Sequence, residues 1–440
     1  MNENERLGTQ RLYALFERYP AVATDSRRAG EGTIFFALRG DRFDGNRFAL
    51  AALDAGAACA VVDDPAVAAS AGEAYAGRIV TVDDALAALQ ALACEHRRRL
   101  GIPLLAIVGS NGKTTTKELL RRVLACRFEV CATQGNLNNH IGVPLTLLSL
   151  RPGHQFAVVE MGASHPHEIR DLCAIARPDY GYITNFGRAH LEGFGGVEGV
   201  IRTKSELYDF LRENDGLAFV RADDPLQMQR SEGIRRYTFS SQGRPADVAI
   251  EMLSSLPRVT GRFSSAEFAT ALSGEYNFTN ACAAIAVGLY FGVAPQDIAR
   301  AIASYIPDNN RSQWMERGAD VLMMDAYNAN PSSMELSLEN FARTDTGARE
   351  KIAVLGDMFE LGTYARQEHL RIASLAAALP FERVYLVGEN FSRAVSPSGK
   401  TSVFRTFDEF ASAFEKPSVS AAYLVKGSRG MRMERFLDLL

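Results

Sequence analysis

The chain has 440 residues, 47% of them apolar and 23% charged, which excludes a largely disordered protein and allows about three domains. Lysine and arginine number 48 against 52 aspartates and glutamates, so a net charge of −4 gives no global attraction for nucleic acid or an anionic membrane. The longest apolar run, Ala281–Ala294, is shorter than the ~20 residues of a spanning helix, and Met1–Arg6 is polar with no signal-peptide core behind it; the expectation is a cytoplasmic protein with no membrane insertion.

The first segment runs to about Gly101. Thr33–Ala37 and Cys59–Val62 read as short buried strands, and Arg47–Ala55 and Asp83–Arg99 as helices, the second ending in Arg97-Arg98-Arg99, which suits a helix C-terminus. Gly101-Ile102-Pro103 breaks the pattern and marks a first linker. The middle segment opens on a strand at Leu104–Val108, a loop at Gly109–Gly112 and a helix over Lys113–Cys126. Further strands are expected at Phe156–Val159, Tyr180–Ile183 and Leu217–Val220, and a small-residue helix at Thr279–Leu289. Helices alternating with such strands imply parallel βαβ units. Pro307-Asp308-Asn309-Asn310 marks a second linker. The last segment alternates again, with strands at Val321–Met324, Ile352–Leu355, Val384–Val387 and Tyr423–Val425 and helices at Ser332–Phe341 and Arg366–Ala378, a small doubly wound α/β domain. The six cysteines are scattered without a C-x-x-C pair, so neither a zinc site nor a disulfide framework is expected.

The strongest local pattern is Gly109-Ser110-Asn111-Gly112-Lys113-Thr114-Thr115-Thr116-Lys117, between a strand and a helix. Backbone N–H groups at a helix start can hold phosphate oxygens, Lys113 can neutralise the β- and γ-phosphates and the Thr114 hydroxyl can reach Mg²⁺. Ile107 occupies the position of the first glycine of a full phosphate-loop pattern, so an ordinary strand–turn–helix corner is the alternative. The loop resembles the shortened form of the Mur ligase superfamily, ATP-dependent amide-forming enzymes of peptidoglycan precursor synthesis. Thr133–Pro144, Asp325–Pro331 and Leu355–Gly362 are similar to the segments of the member that joins D-alanyl-D-alanine to UDP-N-acetylmuramoyl-tripeptide. The match touches all three segments. It implies an α/β fold of three domains: a UDP-MurNAc-peptide-binding domain over 1–101, a central ATP-binding domain with a mostly parallel sheet over 102–308, and a Rossmann-like domain over 309–440.

Individual residues divide between a bland reading and a functional one. Glu160 ends an apolar strand, where open α/β sheets bind ligands, and is either a solvated acid or a Mg²⁺ ligand. The resemblance places a metal ligand at Glu160, a histidine near a second metal at His190, and at Lys204 a lysine carbamylated by CO₂ into an anion beside Mg²⁺; from the residues alone His190 is a core or surface histidine and Lys204 an exposed helical lysine. It assigns Asn277 and Asn280 to the nucleotide, although Asn277 is equally suited to cap a helix, and has histidine more often where this chain has Tyr276. Arg311 matches an arginine that reaches ATP phosphate. Asp325 and Asn328 suit ribose and phosphate contacts, and Asn330, Lys426, Ser428 and Arg429 substrate contacts, against ordinary turn chemistry. Asp25, Ser26 and Arg27 resemble a uridine-nucleotide-binding segment, and Asn136, Asn138 and Asn139 are assigned to substrate.

The reaction so implied uses ATP and two Mg²⁺ ions. A substrate carboxylate attacks the γ-phosphate to give an acyl phosphate and ADP, and the amine of D-alanyl-D-alanine then displaces phosphate. The protein is expected as a monomer. Within the superfamily a tripeptide synthetase or folylpolyglutamate synthase is the nearest alternative. Outside it stand a small-molecule kinase, which needs no amine, and a non-enzymatic nucleotide switch, which needs no Glu160.

Overall fold

The computed structural model describes residues 3–307, 310–347 and 349–440, with side chains from residue 7. Met1 and Asn2 of the polar start, and Asp308 and Asn309 of the expected second linker and domain boundary, lie outside them. The chain resolves into two compact units, one of residues 1–106, 128–162 and 168–180 and one of residues 107–127, 163–167 and 181–440.

In the first unit, Ala21–Ala23, Thr33–Phe36, Cys59–Val62 and Ile79–Thr81 form a parallel four-stranded sheet in that order. Ile34, Phe35 and Phe36 are fully buried, as their short apolar run requires. Helix Ala85–Leu100 begins at Asp84, whose side chain accepts from the Ala87 N–H, and ends at Gly101 in the left-handed region. It packs on helices Glu3–Arg18, Gly142–Leu148 and Glu168–Ala176. Arg97 is not a solvated terminal charge but is buried, donating to the Ala176 carbonyl at 3.1 Å and pairing with Asp179 at 2.8 Å. Strands Val130–Ala132 and Phe156–Glu160 pair in parallel.

In the second unit, helix Lys113–Leu124 packs on helix Glu275–Tyr290, which starts one turn earlier than the small-residue run alone indicates. A Cβ at Gly288 would lie 2.5 Å from Val123 Cγ1 and 2.9 Å from Ile298 Cδ1, so the glycine is what lets these helices approach. Leu217–Arg221, Arg235–Ser240 and Val248–Ser254 pair in parallel; Val248–Ser254, Thr260–Phe263 and Ala266–Ala269 then pair antiparallel. These last strands show the in–out alternation of an antiparallel edge, with Val248 and Ile250 buried and Ala249 and Glu251 exposed.

The chain's last part forms a six-stranded sheet in the order Gln313–Arg317, Asp320–Asp325, Ala421–Lys426, Glu350–Gly356, Arg383–Val387, Thr401–Phe404, antiparallel only at its first pair. Successive residues face opposite layers, as the pleat requires. Met323, Ala353 and Leu355 join Met334, Leu338, Phe341 and Ile372 on one face, and Leu322, Met324, Ile352 and Val354 join Phe410 and Phe436 on the other. The expected strands and helices of this part all appear, helices Pro331–Arg343 and Ala365–Ala378 among them. The architecture is α/β with mostly parallel sheets.

Candidate active site

The loop between strand Leu104–Val108 and helix Lys113–Leu124 is held at every turn. Gly109 has φ 148° and a Cβ there would sit 1.8 Å from Thr184 Oγ1; Gly112 has φ 80° and its Cβ would sit 2.5 Å from Asn280 Oδ1. Only glycine satisfies both the backbone and the space. The Ser110 hydroxyl donates to the Gly187 carbonyl at 2.6 Å. The Asn111 N–H donates to Asn185 Oδ1, and its carbonyl accepts from Thr184 Oγ1 at 2.6 Å and Asn185 Nδ2 at 3.0 Å. Lys113 Nζ donates to the Gly109 carbonyl at 2.8 Å, so the ammonium is folded across the loop. Thr114 and Thr115 are buried in the helix's first turn.

Asn277 and Asn280 are brought to this loop. Gly274, not Asn277, stands at the N-cap of helix Glu275–Tyr290. Asn277 Nδ2 donates to the Ser273 carbonyl, Asn280 Nδ2 donates to Asn277 Oδ1, and Thr116 Oγ1 donates to Asn280 Oδ1 at 3.2 Å. Tyr276 is partly buried, and its hydroxyl meets Ser312 Oγ at 2.9 Å.

Asp325, Asn328 and Lys426 form a second group. Lys426 Nζ lies 2.6 Å from Asp325 Oδ2 and 3.2 Å from the Asn328 carbonyl, with the lysine side chain 3% exposed. The Ser337 hydroxyl and the Ser312 N–H also donate to Asp325. Burial pushes the Asp325 carboxyl up, but the Lys426 ammonium and these donors outweigh it and hold the group below the usual carboxylate range. The Arg311 guanidinium lies 3.6 Å from the centre of the Tyr327 ring, and that of Arg429 5.9 Å from it. Ser428 is buried, accepting from the Phe359 N–H and donating to the Ala329 carbonyl. Asn330 stands apart from this group, on the phosphate loop, where its Nδ2 donates to Asn111 Oδ1 at 2.7 Å.

His190 follows strand Tyr180–Ile183 with φ 51°, and its Nδ1 is 2.5 Å from Glu360 Oε2. Lys204 is buried in helix Val197–Glu213, its Nζ 5.5 Å from the Phe194 ring centre. Burial, and secondarily the Lys113 charge, push the Lys204 ammonium well below its ordinary range. The bland reading of an exposed lysine therefore does not describe it.

In the first unit, Glu160 is 2% exposed at its strand end. Its Oε1 accepts from Asn138 Nδ2 at 2.8 Å and its N–H donates to Thr133 Oγ1. Asn139 Oδ1 accepts from the Ile141 and Gly142 N–H groups just ahead of helix Gly142–Leu148, and Asn136 is exposed. Asp25 begins a short turn of Ser26–Arg28 and pairs with Arg27 at 2.7 Å, which holds its carboxyl at about 2.

Three residues that sequence reasoning did not single out support the candidate residues of their own unit: in the second, Asn185, which binds the Asn111 backbone, and Tyr327 beneath Arg311; in the first, Thr133 behind Glu160. Asn185 lies two residues beyond the end of strand Tyr180–Ile183, the position at which such sheets hold ligands, and that was the available signal. Among the described residues no three histidine, cysteine, aspartate or glutamate side chains cluster as a metal cage, and no helix is long and apolar enough to cross a membrane.

Three family models match in succession: the Mur ligase family catalytic domain over residues 18–97, the Mur ligase middle domain over 107–288, and the Mur ligase glutamate ligase domain over 310–429. The UDP-N-acetylmuramoyl-tripeptide–D-alanyl-D-alanine ligase of Bacillus subtilis is 34% identical, over 95% of this chain and 93% of its own. The Escherichia coli ligase of the same name is 33% identical over 96% and 93%. A crystal structure of MurF from Acinetobacter baumannii superposes with a TM-score of 0.86 at 31% identity over 98% of both chains, and MurF from Thermotoga maritima in complex with ADP with 0.81 at 28% over 97% of both. The chain belongs to the Mur ligase family.

Proposed function

We propose that the chain joins D-alanyl-D-alanine to UDP-N-acetylmuramoyl-tripeptide at the expense of ATP, releasing ADP and phosphate, in cytoplasmic peptidoglycan precursor synthesis. The observation that carries the ATP half is the phosphate loop, with two glycines that admit no Cβ and Lys113 at the head of a twelve-residue helix. The substrate half is supported by relatives bearing this activity's name across more than nine-tenths of both chains.

In this reading the backbone N–H groups at the start of helix Lys113–Leu124 and the Lys113 ammonium take the phosphates. Asn277, Asn280, Arg311, Asp325 and Asn328 serve the nucleotide. Asp25, Ser26, Arg27, Asn136, Asn138, Asn139, Ser428 and Arg429 serve the UDP-peptide and the incoming dipeptide. The division into 1–101, 102–308 and 309–440 is part of the same proposal. Mg²⁺ usually keeps waters and takes one or two protein oxygens beside substrate phosphates. Thr114 Oγ1 and the Glu160 carboxylate are the hard oxygen donors that would hold it, with His190 and a carbamylated Lys204 as further ligands. Bound there, Mg²⁺ offsets the charge that gathers as a carboxylate meets a triphosphate. Carbamylation needs a neutral amine, and burial of Lys204 favours that form.

The test is ADP release with UDP-N-acetylmuramoyl-tripeptide and, in parallel, D-alanyl-D-alanine, D-alanine or L-glutamate. Release stimulated by the D-alanine dipeptide is expected. Release stimulated only by L-glutamate would assign the chain elsewhere in the family, and release needing no amine would make it a kinase.

A further inference from the structure

Asn330 sits at the N-cap of helix Pro331–Arg343. Its Oδ1 accepts from the Ser333 N–H at 2.9 Å, and the Ser333 hydroxyl accepts from its own N–H at 3.0 Å. A backbone N–H can only donate, so this bond fixes which way the Asn330 amide is turned: oxygen to the helix, Nδ2 outward. The outward Nδ2 donates to Asn111 Oδ1 at 2.7 Å. Asn111 must therefore show its oxygen to Asn330, and its own Nδ2 is left on the other side. That Nδ2 makes no hydrogen bond to a described residue. The Asn111 backbone is locked at the same time by Thr184 and Asn185. A second contact joins the same two segments, the Arg188 N–H donating to Ser332 Oγ at 2.8 Å.

We propose that Asn330 is a positioning residue for the phosphate loop: by accepting from the helix and donating to Asn111, it turns the Asn111 amide so that its N–H₂ group, not its oxygen, faces the nucleotide's phosphate oxygens. The proposal rests on the reading of residues 109–115 as the ATP site. It moves Asn330 from substrate contact to control of the loop, and it makes the last part of the chain supply a determinant of phosphate affinity.

Asn330→Asp separates this role from a structural one. Aspartate caps helices as well as asparagine does, so a cap alone is indifferent to the change. The introduced carboxylate has no hydrogen to donate, and Asn111 Oδ1 facing it would be repelled. The Asn111 amide then turns over, donates to the carboxylate and presents its oxygen to the phosphates. ATP affinity, measured by calorimetry on the full chain, is expected to fall about tenfold or more in N330D, and further than in N330A, which leaves Asn111 free to choose. Thermal stability is expected in the opposite order, with N330D near the wild type and N330A below both. N330D binding ATP like the wild type would overturn the proposal. In the double variant N111A/N330D, the second change is expected to add nothing to N111A; a full additional loss would also overturn it. Should N330D not fold, the cycle of N111A with N330A decides by the same criterion. Lys113→Ala at full ATP affinity would instead remove the nucleotide site from this loop, a failure of the underlying reading rather than of the Asn330 geometry.

Discussion

Lys113, Lys204 and Lys426 carry the same formal charge and sit in three different electrostatic situations. Lys113 lies across its loop, held by a carbonyl, with the helix start behind it. Two anionic reactants lose their main counter-charge if it goes, so Lys113→Ala is expected to lower turnover by about 10²–10³-fold, the scale on which a single charge-stabilising donor acts in catalysis. Near-normal turnover at saturating ATP would contradict the assignment. Lys204 is an amine with no surface to escape to. Its folded pKa lies well below its unfolded one, so between the two the unfolded chain binds a proton that the folded chain does not. Stability from this group therefore rises with pH until the unfolded lysine itself deprotonates near 10.5. Lys204→Met removes that dependence. In bicarbonate-free buffer its urea midpoint at pH 7 is expected above that of the wild type, with the gap narrowing by pH 9, while amide formation is lost. A gap that does not change with pH would rule out a neutral buried amine. Lys426 is the reverse case, buried but paired. Lys426→Met strands the Asp325 carboxylate, a change that costs about 3–5 kcal/mol when one partner of a buried pair is removed, and the loss should appear in the denaturation midpoint. Sequence reasoning located all three lysines, but it could not tell an exposed helical lysine from a buried one, because helix Val197–Glu213 has apolar neighbours on either reading.

At the scale of elements, the strands and helices with a single clear period were legible, and those without one were not. Leu104–Val108, Cys59–Val62 and Tyr180–Ile183 lie where continuous apolar runs place them. The antiparallel strands between residues 248 and 269 were missed, because short alternating segments rich in serine, arginine and glutamate resemble loops until a partner strand covers one face. Helix Glu3–Arg18 was missed for a related reason: its polar start hides the buried stripe Leu12, Tyr13 and Phe16. The pairing of helices Lys113–Leu124 and Glu275–Tyr290 depends on a small-residue surface. Gly288→Val would press methyl groups against Val123 and Ile298, and overpacking of this kind costs about 1–3 kcal/mol. The check is a urea denaturation midpoint, which should fall, together with nucleotide affinity, which should fall with it, because Asn280 rides on the same helix two turns away. An unchanged midpoint would mean that the helices do not meet as described.

For the whole molecule, the order of the chain and the compact units do not coincide. Composition and linker patterns divide the sequence into three segments, and three family models match residues 18–97, 107–288 and 310–429. Compactness divides the chain differently, assigning residues 128–162 and 168–180 to the unit that holds the first 106. Helix Ala85–Leu100 explains part of this. Leu89, Leu92 and Ala93 are fully buried, and the helix packs on Gly142–Leu148 and Glu168–Ala176, both beyond the first linker in sequence. The His96 Nε2–H donates to the Leu150 carbonyl at 3.0 Å, and Arg97 reaches Ala176 and Asp179. A cut at Gly101 would therefore open an apolar helix face and leave the Asp179 carboxylate without its arginine. A fragment of residues 102–440 is expected to lose cooperative melting or to aggregate, whereas a cut before Ala85, which keeps this helix, should preserve a cooperative transition and ATP binding while losing the UDP-substrate. If the fragment of residues 102–440 melts cooperatively and binds ATP like the full chain, helix Ala85–Leu100 belongs energetically to the first segment alone, and the boundary read from composition is also the physical one.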